Sequence, residues 1–268
     1  LERIFRIERR KNMEIEFFAD EEIAKTLLPP VPAAKAIPEW WLKAPRSVEG
    51  SGDGGIGGSD VGTFKICQPF TDVLRTGYII PLWQDIAYSD TTEYSDDPNS
   101  GQRISLNWGR GSTVARSLKG KPVENKGWAS WHDIEGVKEG LIEGTSFSFI
   151  NPWIIRTPPG YSCLFTAPLN NENPAIRLFS GIVNTDTYFV RVNFFFGFRK
   201  GVSTPGILKR GMPLIHVIPF KREEWTSSIT PMKKNDEEYN METGQVSELE
   251  SHLTGGYKIH HGCPIKFK

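Results

Sequence analysis

Across residues 63–220, short apolar runs alternate with clusters of Pro, Gly, Asn and Asp. The runs "TFKICQPF", "TGYIIPLWQDIAY", "RISLNWG", "SFSFINPWIIRT", "YSCLFTAP", "AIRLFSGIV", "YFVRVNFFFGF" and "PLIHVIPF" are rich in β-branched and aromatic residues and have strand length. That many short strands predict a mainly β fold, an antiparallel sandwich or barrel. In "YFVRVNFFF", Val190, Val192, Phe194 and Phe196 fall on one face, while Phe189 and Phe195 make the other face partly apolar. Cover is therefore expected on both faces. In "PLIHVIPF", Leu214, His216, Ile218 and Phe220 share a face, and Pro213 and Pro219 mark a sheet edge or the point where the strand leaves the sheet.

The 3.6-residue period is rare. "ADEEIAKTLL" carries an Asp cap candidate, acidic residues in its first turn and apolar Ile23, Leu27 and Leu28, which predicts a short helix over 20–28. Part of 233–253, "KKNDEEYNMETGQVSELESHL", is the other helical candidate. The prolines of "PPVPAAKAIPEWWLKAP" favour an extended arm that docks Trp40 and Trp41 on a surface. Pro159-Gly160 suits a type II turn, and Lys209-Arg210-Gly211 reads as the turn that launches the last strand. The expected organisation is an N-terminal arm and Gly-rich linker (1–62), a β domain (63–225) with a polar insertion at about 89–144 anchored by Trp108, Trp128 and Trp131, and a C-terminal extension (226–268).

Composition removes several function classes. The 32 basic and 32 acidic side chains cancel, so no long-range field draws the chain to nucleic acid or an anionic membrane. Cys67, Cys163 and Cys263 are far apart and odd in number, which suggests neither a disulfide framework nor a zinc ribbon. No apolar run approaches the roughly 20 residues of a membrane span. "LERIFRIERRKN" lacks the apolar centre of a signal peptide, and "MEIEFF" from Met13 reads as a natural start, so residues 1–12 are expected to add little to the fold.

The motif-like clusters are weak on inspection. "GSGDGGIGGSDVG" matches GxGxxG at Gly50, Gly52 and Gly55, but no buried strand precedes it and no helix follows, so a linker is expected rather than a phosphate cradle. His260, His261 and Cys263 are adjacent on a polar tail, where neighbouring side chains diverge. His132 and Asp133 have no identifiable nucleophile beside them, and the acids of "YSDTTEYSDDPNSG" lack the alternating spacing of a calcium loop. No metal or other cofactor is expected.

The order "PPGYSCLFTAP", "SGIVNTDTYFVRVNFFF", "KRGMPLIHVIPF" resembles the later part of the deoxyuridine triphosphatase and deoxycytidine triphosphate deaminase superfamily, over residues 156–220. The resemblance implies a dUTPase-like β-clip, a distorted antiparallel β-sandwich, commonly assembled as a homotrimer. Together, "WWLKAP", "CQPFTDVLRTGYIIPLWQDI", "FINPWIIRTPPGYSCLFTAPLN", "GIVNTDTY" and "GMPLIHVIPFKREEW" resemble an uncharacterised protein family of marine tailed phages and some bacteria. That implies a host-cytoplasmic or virion location, with other virion proteins as further partners.

The enzyme pattern is broken at four places. Asn184 stands where the superfamily places its catalytic aspartate, and an amide cannot take a proton from water. Asp186 survives in the hairpin turn, where the second acid of the superfamily is commonly structural. "APLNN" puts Leu169 and Asn170 in place of the phosphate-gripping Arg-Ser pair. Gly77 and Tyr78 match the glycine-tyrosine motif, but Ile79 occupies the neighbouring acidic position. The glycine-rich C-terminal lid has no counterpart, and His216 replaces a glutamine. The expectation is a non-catalytic structural or interaction protein. The alternative is a small-molecule binding or divergent hydrolytic protein whose pocket would use Tyr78, Asn184, Asp186, Tyr188 and His216.

Overall fold

The computed structural model describes residues 13–48, 61–90, 104–107, 139–142, 147–234 and 236–251. From the N-terminus, β1 (Glu16–Phe18), α1 (Glu21–Thr26), β2 (Val31–Pro32) and α2 (Glu39–Lys43) precede a short pair, β3 (Ser47–Val48) and β4 (Val61–Gly62). Then come α3 (Gln68–Arg75), β5 (Tyr78–Pro81), β6 (Ile86–Asp90), β7 (Ile104–Asn107), β8 (Phe147–Ile150), β9 (Ile154–Arg156) and β10 (Tyr161–Thr166). They are followed by β11 (Ile176–Leu178), β12 (Gly181–Val183), β13 (Asn193–Phe198), β14 (Gly206–Leu208), β15 (Pro213–Lys221) and α4 (Glu237–Ser251). Among the described residues the fold is mainly β, and every strand pairing is antiparallel.

The largest sheet has five strands in the order β12-β10-β15-β5-β2, and a second has three in the order β11-β13-β8. The chain leaves the first sheet after β10, adds β11 to the second, and returns as β12. The two sheets therefore share one core, with the character of a β-sandwich. Phe165 of β10 meets Phe194 of β13 across that core, ring centroids 5.5 Å apart. Phe194, Phe196 and Phe198 alternate along β13 at 3%, 0% and 0% exposure, and Phe149 stacks on Phe196 at 3.9 Å. Replacing such a ring by alanine typically costs about 3–5 kcal/mol. No helix among the described residues is long and apolar enough to cross a membrane.

The N-terminal segment is tied to this body. β1 pairs with β9, β2 pairs with β5, and Ile23 of α1 is fully buried in the main core. Trp41 stacks on Phe70 at 4.9 Å, while Trp40 remains half exposed. Both helical expectations are met in position, by α1 and by α4.

Three local expectations differ from the structure. "TFKICQPF" is not a strand: a single 3-10 turn over Phe64–Ile66 runs into α3. Pro69 sits in the first helical turn, where a missing N–H costs nothing, and the Gln68 amide donates to the Asp72 carboxylate four residues on. "WWLK" is part of the helix α2 rather than extended chain. Val190 and Val192 precede β13 rather than belonging to it; Val192 still packs partly buried against the core, but Val190 is 53% exposed instead of lying on the covered face. The Tyr188 amide already bonds the Asn184 carbonyl at 2.8 Å, so the backbone here is committed to a turn and cannot start a ladder. The Gly-rich linker and most of the polar insertion, with Trp108, Trp128 and Trp131, lie outside the described residues; of the insertion, β7 pairs with β6 and Leu141 and Ile142 are buried.

Two glycines set a graded test of the frame. Gly160 of the Pro159-Gly160 turn has φ +84° with open space where a Cβ would stand, whereas Gly77 has φ +71° and a Cβ there would lie 2.2 Å from the Val217 carbonyl oxygen. Gly160→Ala is expected to cost about 1–2 kcal/mol, from the left-handed backbone alone. Gly77→Ala adds a backbone collision and is expected to cost about 2–5 kcal/mol. Urea unfolding midpoints check the ranking, and equal losses would contradict it.

Candidate functional site

The register of β10 with its two neighbours assembles a polar ring at one end of the five-stranded sheet. Cys163 faces Val183 of β12, and Ser162 faces Phe220 of β15, which brings Asn184 level with Ser162 and leaves Arg222 two residues further along, within side-chain reach of Ser162. The Ser162 hydroxyl donates to Asn184 Oδ1 at 2.8 Å. Arg222 Nη1 donates to Ser162 Oγ at 2.9 Å and to the Tyr161 carbonyl at 3.0 Å. The same guanidinium grips Asp186 with both ends, Nη1 to Oδ1 at 2.9 Å and Nη2 to Oδ2. The Gly160 amide adds a third donor to Asp186 Oδ2 at 2.8 Å.

Beneath the ring, the buried hydroxyls of Thr157 and Thr185 lie 2.7 Å apart, and Thr185 Oγ1 donates to Cys163 Sγ at 3.3 Å. Burial pushes the Cys163 thiol up to about 11, so it stays neutral and inert at physiological pH. Arg222 beside it holds the Asp186 carboxyl down to about 2, with help from the Gly160 amide. The Asp186 side chain retains only 5% exposure. Asn184, in contrast, is exposed, and its carbonyl caps the turn by accepting the Thr187 amide at 3.1 Å and the Tyr188 amide.

His216 and Tyr78 belong to a different place. His216 pairs with Thr166 and Ile79, and Tyr78 pairs with Val217, so Tyr78 and His216 project from opposite faces of the sheet. His216 is 1% exposed; its Nε2–H donates to the Thr76 carbonyl and its Nδ1 accepts the Leu169 amide at 3.4 Å. Burial lowers its pKa below the ordinary 6.5, the Thr76 bond opposing this in part. Tyr78 meets Phe17 edge-on at 5.5 Å, and burial raises its phenol.

Of the five residues singled out from the sequence, the fold thus joins Asn184 and Asp186 in one ring and attaches Tyr188 by its backbone. His216 lies four residues along β15 from the level of Asn184, about 13 Å at 3.3 Å per residue. Tyr188 is 47% exposed in a run with Phe189 and Val190, each over half exposed. The "APLNN" turn, with Asn170 at φ +57°, presents backbone to His216 rather than a cation to a phosphate.

Arg222 is the residue that sequence reasoning missed. It sits in "KREEW", which reads as the start of a charged tail, and only the β10–β15 register brings it under the hairpin. Among the described residues, no three His, Cys, Asp or Glu side chains converge in a way that could hold a metal ion. His132, Asp133, His260, His261 and Cys263 lie outside the described residues, as do most acids of the 88–101 run. Comparison with known proteins finds no matching family model, no matching curated protein and no matching solved structure.

Two pH effects of opposite origin follow. Asp186 has a depressed pKa, so its contribution is complete above its ordinary 3.8 and is lost as pH falls from there to about 2. Asp186→Asn is expected to lower the urea midpoint at neutral pH and to flatten the acid limb over that interval; an unchanged limb would show that the pair adds nothing. His216 is held neutral, so its unfolded form binds more protons below 6.5 and stability falls as pH drops through that value, until the lower folded-state value is passed. His216→Gln can donate to Thr76 and accept from Leu169 without titrating. It is expected to match wild type at neutral pH and to lose stability less steeply below 6.5, read as the difference between paired unfolding curves.

Proposed function

We propose that this chain is a non-catalytic β-clip protein of phage type that serves as a structural or interaction module. It works as a homo-oligomer, with the trimer as the form drawn from the superfamily resemblance, in the virion or the host cytoplasm. One observation carries the reading: Asp186, the acid that survives in the hairpin, is fastened by Arg222 and Gly160 instead of being turned toward solvent.

A general base works best with a pKa near the operating pH. A carboxyl held at about 2 lies far from that range, and its side chain is only 5% exposed to solvent. The second titratable candidate, His216, has both ring nitrogens engaged with backbone. Neither group is placed to activate a nucleophile, and Leu169 and Asn170 offer no charge to a triphosphate. The polar ring supports a mechanical role, closing the hairpin against the end of β15. The phage-type assignment rests on the sequence resemblance across "FINPWIIRTPPGYSCLFTAPLN" and "GMPLIHVIPFKREEW".

Incubation of wild type and Asn184→Asp with deoxyuridine and deoxycytidine triphosphates, with pyrophosphate release as the readout, tests the reading. No turnover is expected from either. Positioned general-base catalysis contributes roughly 100- to 10,000-fold, so a working base would be visible above background. Turnover by wild type would overturn the non-catalytic reading, and turnover by Asn184→Asp alone would show that a phosphate site persists.

A further inference from the structure

After β15 the chain leaves the body. Every described residue over 221–234 is exposed, and this arm carries bulky apolar side chains open to solvent: Trp225 is 86% exposed and Ile229 98%. An arm of this kind costs hydration free energy wherever it stands alone in water, and large exposed apolar groups of this sort mark interaction sites. On the body, an open groove of about 590 Å³ is lined by Leu28, Val31, Ile37, Pro38, Trp40 and Pro213. Lys35 stands in its wall, exposed and in no ion pair among the described residues, whereas the neighbouring Glu39 is committed to Lys43.

We propose that the groove receives the Trp225 arm of a second copy of this chain. Chemistry and reach both select that occupant. Trp225 supplies a flat apolar ring to a groove walled by prolines and Trp40, and Glu224 beside it brings the charge that complements Lys35. Glu223, by comparison, is taken by Lys221. The arm leaves β15 after Lys221, whereas Pro213 in the groove lies at the other end of the same strand. Those eight steps span about 26 Å at 3.3 Å per residue. From Lys221 to Trp225 the chain extends at most about 14 Å, so Trp225 falls short of the groove's Pro213 in its own copy. An arm that fills its neighbour's groove makes a head-to-tail contact, which closes into a ring when the rotation allows. This inference rests on the interaction-module reading and names its partner.

The test measures molecular mass by light scattering against concentration on the full chain. Wild type is expected to assemble, and Trp225→Ala is expected to raise the half-assembly concentration at least about tenfold, as for a buried aromatic anchor. Trp225 is 86% exposed in its own copy, so circular dichroism should be unchanged by its loss. Lys35→Glu and Glu224→Lys are each expected to weaken assembly about two- to fivefold, and the double variant to restore it, which a general loss of solubility would not do. A monomeric wild type, or assembly indifferent to Trp225→Ala, overturns the inference. Absence of rescue in the double variant overturns the Lys35–Glu224 pairing and with it this docking mode. The pyrophosphate assay on the same samples keeps the two ideas separate: an inactive chain that ignores Trp225 leaves the non-catalytic reading standing, and an active chain that assembles through Trp225 sinks only that reading.

Discussion

The register of β15 is the constraint on which the rest of the molecule depends. Leu214, Ile215, His216 and Val217 are consecutive and almost wholly buried, so this strand is covered on both faces and flanked by β10 and β5. Burying a large aliphatic side chain contributes about 1.5–3 kcal/mol, and a slip by one residue would turn each of these to the wrong face. Gly77 locks the slip further, because its backbone lies so close to the Val217 carbonyl that no other residue fits. Once β15 is fixed, His216 falls beside Thr76 and Leu169, and Arg222 falls beside Gly160 and Asp186.

The polar ring is where that register becomes chemistry. A carboxylate with three donors aimed at it is strongly stabilised in its charged form, and this is the opposite of what a proton acceptor for water requires. The same three bonds hold two segments far apart in sequence, the 159–161 turn and the end of β15, against the hairpin that follows β12. An exposed ion pair alone would contribute little, but a bidentate pair supported by Ser162 and a backbone amide is geometrically fixed. The ring thus uses its one acid to close the hairpin against the end of β15.

Two kinds of strand could be read from the sequence: β13, where Phe194, Phe196 and Phe198 keep the two-residue period of a strand with one face in the core, and β15, whose unbroken run from Leu214 to Val217 marks a strand buried on both faces. The Pro159-Gly160 and Lys209-Arg210-Gly211 turns were legible because their glycines carry positive φ. "TFKICQPF" misled because aromatic and β-branched content resembles a strand, whereas Pro69 and the Gln68–Asp72 pair favour a helix at a distance that strand content does not register. Val190 misled because alternation was continued through a turn. Arg222 was invisible for a deeper reason: its partners are 36 and 62 residues upstream, and only a solved register makes them neighbours.

Arg222 is also the first residue of the arm, and this joins the site to the assembly. Its amide donates to the Gly160 carbonyl at 2.8 Å while its guanidinium is gripped by Asp186, so both backbone and side chain are fixed at the point where the chain leaves the sheet. A flexible root would let the arm sample many directions, and each would have to be given up on docking at an entropic cost. A root held at four points narrows the directions in which the arm can leave before any partner arrives. Asp186 thus fixes the base of the segment that carries Trp225, and in the proposed docking such preorganisation lowers the entropic cost of exchange between copies.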